Sequence, residues 1–327
     1  MSYTPPKLEN EPKIAVVIPC YNVKKHILGL INKIHACVWR IYVIDDKCPE
    51  STGKYVEDSC TDSRVVILKH SVNKGVGGAI KTGYIEALKD GAEIIVKIDG
   101  DGQMNPDLIP ILIKPIVKGK ADYTKGNRFF NLENIRSMPA VRIFGNASLS
   151  FMTKLSSGYW NLMDPTNGFT AIHADIIKIL PLDAISDRFF FETDMLFRLN
   201  TIRAVVVDVP MDARYLDETS NLKINTIFCE FIFKHLRNFV KRIFYNYYLR
   251  DISLASIEMP AGVFLFTFGM VFGIYHWVVS AELGIATALG TIMIPSLSIL
   301  MGLQLILAFL AYDIRSIPTQ PIHQSMK

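Results

Sequence analysis

EIIVKIDGDGQ, residues 93–103, decides the fold class: a short apolar run closes in an acidic loop broken by glycines. Residues 93–98 read as a β-strand, because β-branched side chains in a continuous run suit a strand buried on both faces. Three similar runs precede it: KIAVVIP at 13–19, RIYVID at 40–45 and RVVIL at 64–68. Helical patterns lie between them, one leading from Tyr21-Asn22 to about Ala36 and another over 76–88. Apolar strands alternating with helices predict an α/β domain with a mainly parallel sheet covered on both faces. Ligands of such sheets sit beyond the carboxyl ends of the strands. The polar clusters fall there: Pro19-Cys20-Tyr21-Asn22, Asp45-Asp46 and Asp99-Gly100-Asp101-Gly102-Gln103.

The rest of the chain has another character. Half of its 327 residues are hydrophobic and the mean hydropathy is +0.25, an excess concentrated after Met259. Residues 259–280 (MPAGVFLFTFGMVFGIYHWVVS) carry no charge with His276 neutral, and 284–312 carry none. At 1.5 Å per residue the shorter run is about 33 Å long, enough for a hydrocarbon core of about 30 Å. Both are expected to be transmembrane helices, joined by the short link Ala281-Glu282-Leu283, which has no Lys or Arg. Lys234, Arg237, Lys241, Arg242 and Arg250 precede the pair, and Arg315 and Lys327 follow it. The positive-inside rule predicts an integral membrane protein with its large domain and both termini, including the tail 313–327, in the cytoplasm.

Residues 225–251 place Phe228, Phe231, Ile232, Leu236, Phe239, Ile243 and Tyr247 at three- and four-residue spacing among basic side chains. That is the pattern of an amphipathic helix lying at the lipid headgroups. A helix packed only on its own domain is the plainer reading. Residues 1–12 are polar and Pro-rich, without the apolar core of a signal peptide. Five cysteines without metal-type spacing suggest reduced thiols. A net charge of +4 is too mild to argue for nucleic acid.

Asp99 and Asp101, one residue apart, cannot both stay ionised cheaply without a cation. Hard oxygen donors suit Mg²⁺ or Mn²⁺, which bridge a few carboxylate oxygens and a diphosphate, and Gln103 adds an oxygen. Gly100 and Gly102 permit the turns. An EF-hand is disfavoured, because the later ligand positions hold Met104, Pro106 and Leu108. Asp45-Asp46 is read either as acceptors for a nucleoside or as a turn pair. Gly75-Val76-Gly77-Gly78 does not complete a dinucleotide fingerprint, because position 80 is Ile, and is read as a glycine-rich helix start near a donor.

Together these residues resemble the family 2 glycosyltransferases of GT-A fold, and within them the polyisoprenyl-phosphate glycosyltransferases, the dolichol-phosphate mannosyltransferases among them. The resemblance runs from about Lys13 to Ser220. It is carried by Ile18-Pro19-Cys20-Tyr21-Asn22, Val43-Ile44-Asp45-Asp46, Asn73-Lys74-Gly75 with Ala79 and Gly83, and the Asp99–Gln103 loop with Pro106. Gly126-Asn127-Arg128, Asn167-Gly168-Phe169 and Glu192-Thr193-Asp194 continue it. It implies a GT-A domain over 13–224, with a mobile acceptor loop at 211–223. A nucleotide-sugar donor would meet Pro19, Tyr21, Asn22, Asp45, Asp46, Asn73, Gly75, Asp99, Gly100 and Asp101. The metal would sit on Asp99, Asp101 and Gln103, and phosphates would meet Arg128, Arg142 and Arg214. Where the family commonly has Asp-Asp-Gly-Ser, this chain has Asp45-Asp46-Lys47-Cys48.

A lipid phosphate carries roughly 1.5 to 2 negative charges and is already nucleophilic, so no general base is demanded. Glu192 and Asp194 are then weighed equally between positioning and proton transfer, with Asp164 a weaker candidate whose plainer role is a turn before Pro165. The expected activity is an inverting, metal-dependent hexosyltransferase. It would move one sugar from a nucleotide-sugar, such as UDP-glucose or GDP-mannose, to undecaprenyl or dolichyl phosphate. The alternatives are transfer to another membrane-lipid hydroxyl, or a non-catalytic nucleotide-sugar-binding scaffold. The bilayer is an expected partner, and a homo-oligomer is compatible with the sequence. Two spans and the lack of a Q-x-x-R-W string argue against a processive synthase.

Overall fold

The computed structural model describes residues 12–130, 140–211 and 224–326, in two compact units. The first comprises residues up to Phe239 together with Pro318–Lys327; the second is Val240–Ile317.

The first unit is built on seven strands: β1 (Ile14–Cys20), β2 (Val38–Asp45), β3 (Val65–Lys69), β4 (Ile94–Lys97), β5 (Tyr123–Asn127), β6 (Thr170–His173) and β7 (Val206–Pro210). Their order across the sheet is β3-β2-β1-β4-β6-β5-β7. β6 runs antiparallel to both β4 and β5, and the other pairs are parallel. The α/β class and mainly parallel sheet expected from the sequence are therefore present. β5, β6 and β7 escape the hydropathy reading because Lys125, Asn127, His173 and Asp208 interrupt them. Ile14, Val16 and Ile18 of β1 and Ile41 and Val43 of β2 join one buried cluster with Ile94, Val96, Leu112 and Phe169. Burying side chains of this size contributes about 1.5–3 kcal/mol each and anchors the strand ends that carry the polar loops.

In chain order the helices are α1 (Lys24–Ile31), α2 (Thr52–Ser59), α3 (Gly75–Lys89), α4 (Ile109–Val117), α5 (Ala140–Ser157), α6 (Ala174–Ile179), α7 (Phe191–Thr201) and α8 (Ile224–Phe244). α8 presents an unexpected face. His235 and Asn238 are buried, whereas Ile232, Phe233, Leu236 and Val240 are exposed. Within the first unit His235 Nδ1 pairs with Ser156 Oγ at 2.8 Å, and the ring meets Phe190 edge-on. The polar side chains hold the helix to α5 and α7, and an apolar stripe is left outward.

In the second unit, the α8 helix passes into a π turn, Tyr245–Arg250, followed by α9 (Leu254–Leu283) and α10 (Leu289–Arg315). α9 begins before the expected 259, at a turn where Ser256 Oγ accepts from Ser253 N at 3.0 Å and Ser256 N donates to Ser253 O at 3.0 Å. It ends where Gly284 takes φ +64, so the second helix begins at Leu289 rather than 284. Both are long and apolar enough to cross a bilayer, and only 11% and 17% of their most apolar windows are buried. A core helix of a soluble protein would show the opposite. The two pack closely where a Cβ on Gly302 would fall 2.5 Å from Phe266 N. Arg242 is almost wholly enclosed, donating to Asp313 at 2.6 and 3.0 Å, and Tyr247 donates to the same carboxylate at 2.6 Å.

Candidate active site

A cavity of about 540 Å³ opens beyond the carboxyl ends of β1, β2 and β4, within the range that holds a small ligand. Pro19, Tyr21, Asn22, Asp46, Asn73, Gly75, Asp99, Gly100 and Asp101 all line it. Asp45 does not. Its carboxylate turns away, accepting from Cys48 N at 2.7 Å and Gly53 N at 2.6 Å. Asp46 reaches the cavity wall but accepts from Lys74 N at 2.8 Å and Gly75 N at 2.7 Å, with His70 Nδ1 at 2.7 Å. The acidic pair thus builds the turns around it, one acid behind the wall and one in it. Cys48, at the departure from the family pattern, accepts from Asn22 N at 3.1 Å and supports Asn22 at φ 58.

The start of α3 lines the cavity through Gly75, Val76 and Ala79, whereas the glycines between them pack on protein. Gly77 N and Gly78 N donate to Asp187 O at 2.8 and 3.1 Å. With Lys74 N and Gly75 N on Asp46, four of the backbone donors that a helix start offers to a phosphate are already engaged.

β4 delivers Asp99 and Asp101, both on the cavity wall. Asp101 Oδ1 accepts from Gln103 N at 2.9 Å, a local turn that sets the loop. Asp99 Oδ1 lies 2.9 Å from Lys97 Nζ, and the same ammonium lies 2.9 Å from Glu192 Oε1 on α7. Burial alone would push Lys97 down, but the carboxylates of Asp99 and Glu192 outweigh it and hold the ammonium above the ordinary lysine range. Gly168 is dictated by this group: a Cβ there would collide with Asp99 Oδ2 and sit 2.5 Å from Lys97 Nζ. Among the described residues no three His, Cys, Asp or Glu side chains gather for a protein-only metal cage. Two carboxylates on an open wall fit a hard cation that takes its remaining oxygens from a diphosphate and water. Gln103 is not part of the cavity wall.

Arg128 meets Asp164 through Nε at 2.8 Å and Nη2 at 3.2 Å; Asp164 is fully buried. Asp164 therefore anchors an arginine as well as the turn before Pro165. Asp194 is also fully buried, accepting from Ser186 N at 2.9 Å and from Asn238 Nδ2 at 3.0 Å. Burial pushes Lys125 down to about 8, and its ammonium donates to the Asn167 carbonyl. The Arg142 side chain, Arg214 and the stretch beyond Met211 expected to be an acceptor loop lie outside the described residues.

Sequence reasoning missed Lys97 and the pair Arg188-Phe189, which lines the cavity. A lysine inside the apolar run IIVK is a signal in itself, since an enclosed ammonium needs carboxylate partners. Arg188 stands four residues before Glu192, beside a motif that was recognised.

Residues 15–180 match the Glycosyl transferase family 2 domain. The chain is 30% identical over 218 residues to UDP-N-acetylglucosamine–dolichyl-phosphate N-acetylglucosaminyltransferase of Methanococcus voltae, covering 62% of this chain and 86% of that one. It is 28% identical over 203 residues to undecaprenyl-phosphate mannosyltransferase of Micrococcus luteus, covering 61% of this chain and 82% of that one. Among solved structures it resembles glucosyl-3-phosphoglycerate synthase of Mycobacterium tuberculosis, in complex with Mn²⁺, UDP and phosphoglyceric acid. There the TM-score is 0.53 at 18% identity, covering 71% of this chain and 78% of that one, a likeness of fold. The chain belongs to glycosyl transferase family 2 and is a glycosyltransferase.

Proposed function

We propose that this family 2 glycosyltransferase moves one hexose from a UDP- or GDP-linked donor to a polyisoprenyl phosphate at the cytoplasmic face of a membrane, with inversion. The observation that carries this reading is the union, in one chain, of a strand-end cavity presenting Asp99 and Asp101 with two outward-apolar helices. The relatives named for dolichyl- and undecaprenyl-phosphate transfer support the acceptor class.

In this reading Asp46 and Asn73 face the nucleoside, while Asp45 holds the turn. Asp99 and Asp101 hold a divalent cation at the donor diphosphate. When bound, that cation acts as a Lewis acid on the departing diphosphate. Lys97 fixes the direction of Asp99, and Glu192 fixes Lys97. Arg128, set by Asp164, offers its outer edge to a phosphate, with Arg142 and Arg214 as further phosphate contacts. The acceptor phosphate attacks without surrendering a proton, so Glu192 and Asp194 serve position rather than base catalysis. α8 rests its exposed Ile232, Phe233 and Leu236 on the lipid headgroup layer.

The test is incubation of the purified full chain with polyprenyl phosphate, Mg²⁺ or Mn²⁺ and a panel of nucleotide-sugars. A single-sugar glycolipid is the expected product. No glycolipid from any donor would sink the proposal.

A further inference from the structure

We infer that Arg188 is the cation that receives the donor diphosphate, held to that task by a clamp between α3 and α7. The inference rests on the nucleotide-sugar reading and deepens it. A nucleoside diphosphate brings at least two negative charges to a wall that already carries Asp99 and Asp101. A single divalent cation cannot offset all of them, and a guanidinium fits the remaining phosphate oxygens in bidentate fashion.

Two other cations of the first unit already hold carboxylates of the chain. Lys97 is spent on Asp99 and Glu192, and Arg128 grips Asp164 with two nitrogens. Arg188 is exposed, lines the cavity with Asp99 and Asp101, and has no ion-pair partner among the described residues.

Its mounting is rigid. Asp187 O accepts from Gly77 N and Gly78 N, at 2.8 and 3.1 Å. Lys81 Nζ donates to Ile185 O at 2.9 Å and pairs with the Asp187 carboxylate. From the other side Asp194 accepts from Ser186 N at 2.9 Å, and Arg198 Nη2 donates to Ala184 O at 2.8 Å. Neither Gly75 nor Gly77 has room for a Cβ: one at Gly75 would lie 2.6 Å from Asp187 O and 3.0 Å from Arg188 Cγ. One at Gly77 would collide with Ser186 O. The glycine-rich turn therefore exists to admit the segment that carries Arg188, and Asp194 is a positioning residue for that segment.

The experiment is calorimetric titration of the detergent-solubilised full chain with UDP and with GDP in Mn²⁺. Arg188→Ala is expected to weaken the nucleotide that binds by at least tenfold and to raise the donor KM in step, with an unchanged melting temperature. Arg188→Lys recovers only part. Gly77→Ala, which removes no side chain from the cavity, is expected to reproduce the loss by displacing the segment. Asp194→Ala should also lower nucleotide affinity, which loss of a proton-transferring base would not do. An Arg188→Ala affinity within twofold of wild type overturns this inference alone. Failure of the wild-type chain to bind either nucleotide overturns the nucleotide-sugar reading, and this inference with it.

Discussion

Lys97 Nζ and Glu192 Oε1 meet at 2.9 Å across 95 positions of sequence, joining the end of β4 to the first turn of α7. Because the same ammonium holds Asp99, Lys97→Met leaves two carboxylates facing one another without a cation. The expected loss is about 3 kcal/mol, at the low end for a broken buried pair because Asp99 is 30% exposed. Adding Glu192→Gln should return part of it. A double-mutant cycle from urea denaturation measures the coupling, and strictly additive losses would contradict it.

Gly168→Ala probes the same group sterically. The new methyl has to displace Asp99 or Lys97, while the fold around Asn167 is kept by Asn167 Nδ2 on Gly126 O at 2.8 Å. Transfer should fall about 100-fold, the scale expected when a reacting group is misplaced by about 1 Å. The circular dichroism spectrum should stay native. Full activity would mean that Asp99 need not keep this position.

Chelation with EDTA is expected to abolish transfer, and Mn²⁺ or Mg²⁺ to restore it. Asp101→Asn should raise the metal concentration for half-maximal activity at least tenfold, because an amide oxygen is a weaker ligand than a carboxylate. Electron paramagnetic resonance of bound Mn²⁺ gives the same comparison without turnover. Activity indifferent to EDTA would exclude the metal role of the pair.

His235 links pH to the seating of α8. Burial pushes its imidazole down to about 4 from the usual 6.5, so it stays neutral in the folded protein. Below about pH 6.5 the unfolded chain takes up a proton that the folded one refuses until about pH 4. Stability therefore falls as pH falls through that window, by up to about 3 kcal/mol at about 1.4 kcal/mol per unit. His235→Phe should flatten this part of the melting-temperature profile. An unchanged profile would show that His235 does not set it.

Much of this was legible in the sequence. β1 to β4 announced themselves because their residues are buried on both faces and hence continuously apolar, and the acidic loop after β4 stood where a parallel sheet binds ligands. The fate of Asp45 and Asp46 could not be read, since their partners are the backbone amides of Cys48, Gly53, Lys74 and Gly75, which no side-chain pattern displays. Lys97 showed its charge but not its partner, 95 residues away. α8 showed its periodicity, yet only packing reveals that His235 and Asn238 form the buried side.

One buried carboxylate ties the catalytic sheet to residues beyond both apolar helices. Asp122, at the edge of β5, accepts from Val205 N at 2.7 Å, from Ile322 N and His323 N at 3.0 Å, and from His323 Nδ1 at 2.7 Å. The His323 ring also stacks on His173, with centroids 4.3 Å apart. Ile322 and His323 emerge from the ribosome about 200 residues after Asp122, when both apolar helices have already been made. The domain consequently cannot finish folding as a nascent N-terminal piece. Synthesis of both helices precedes the docking of His323 beside the sheet, and a fragment cut before Val240 would leave that acid without its Ile322 and His323 partners.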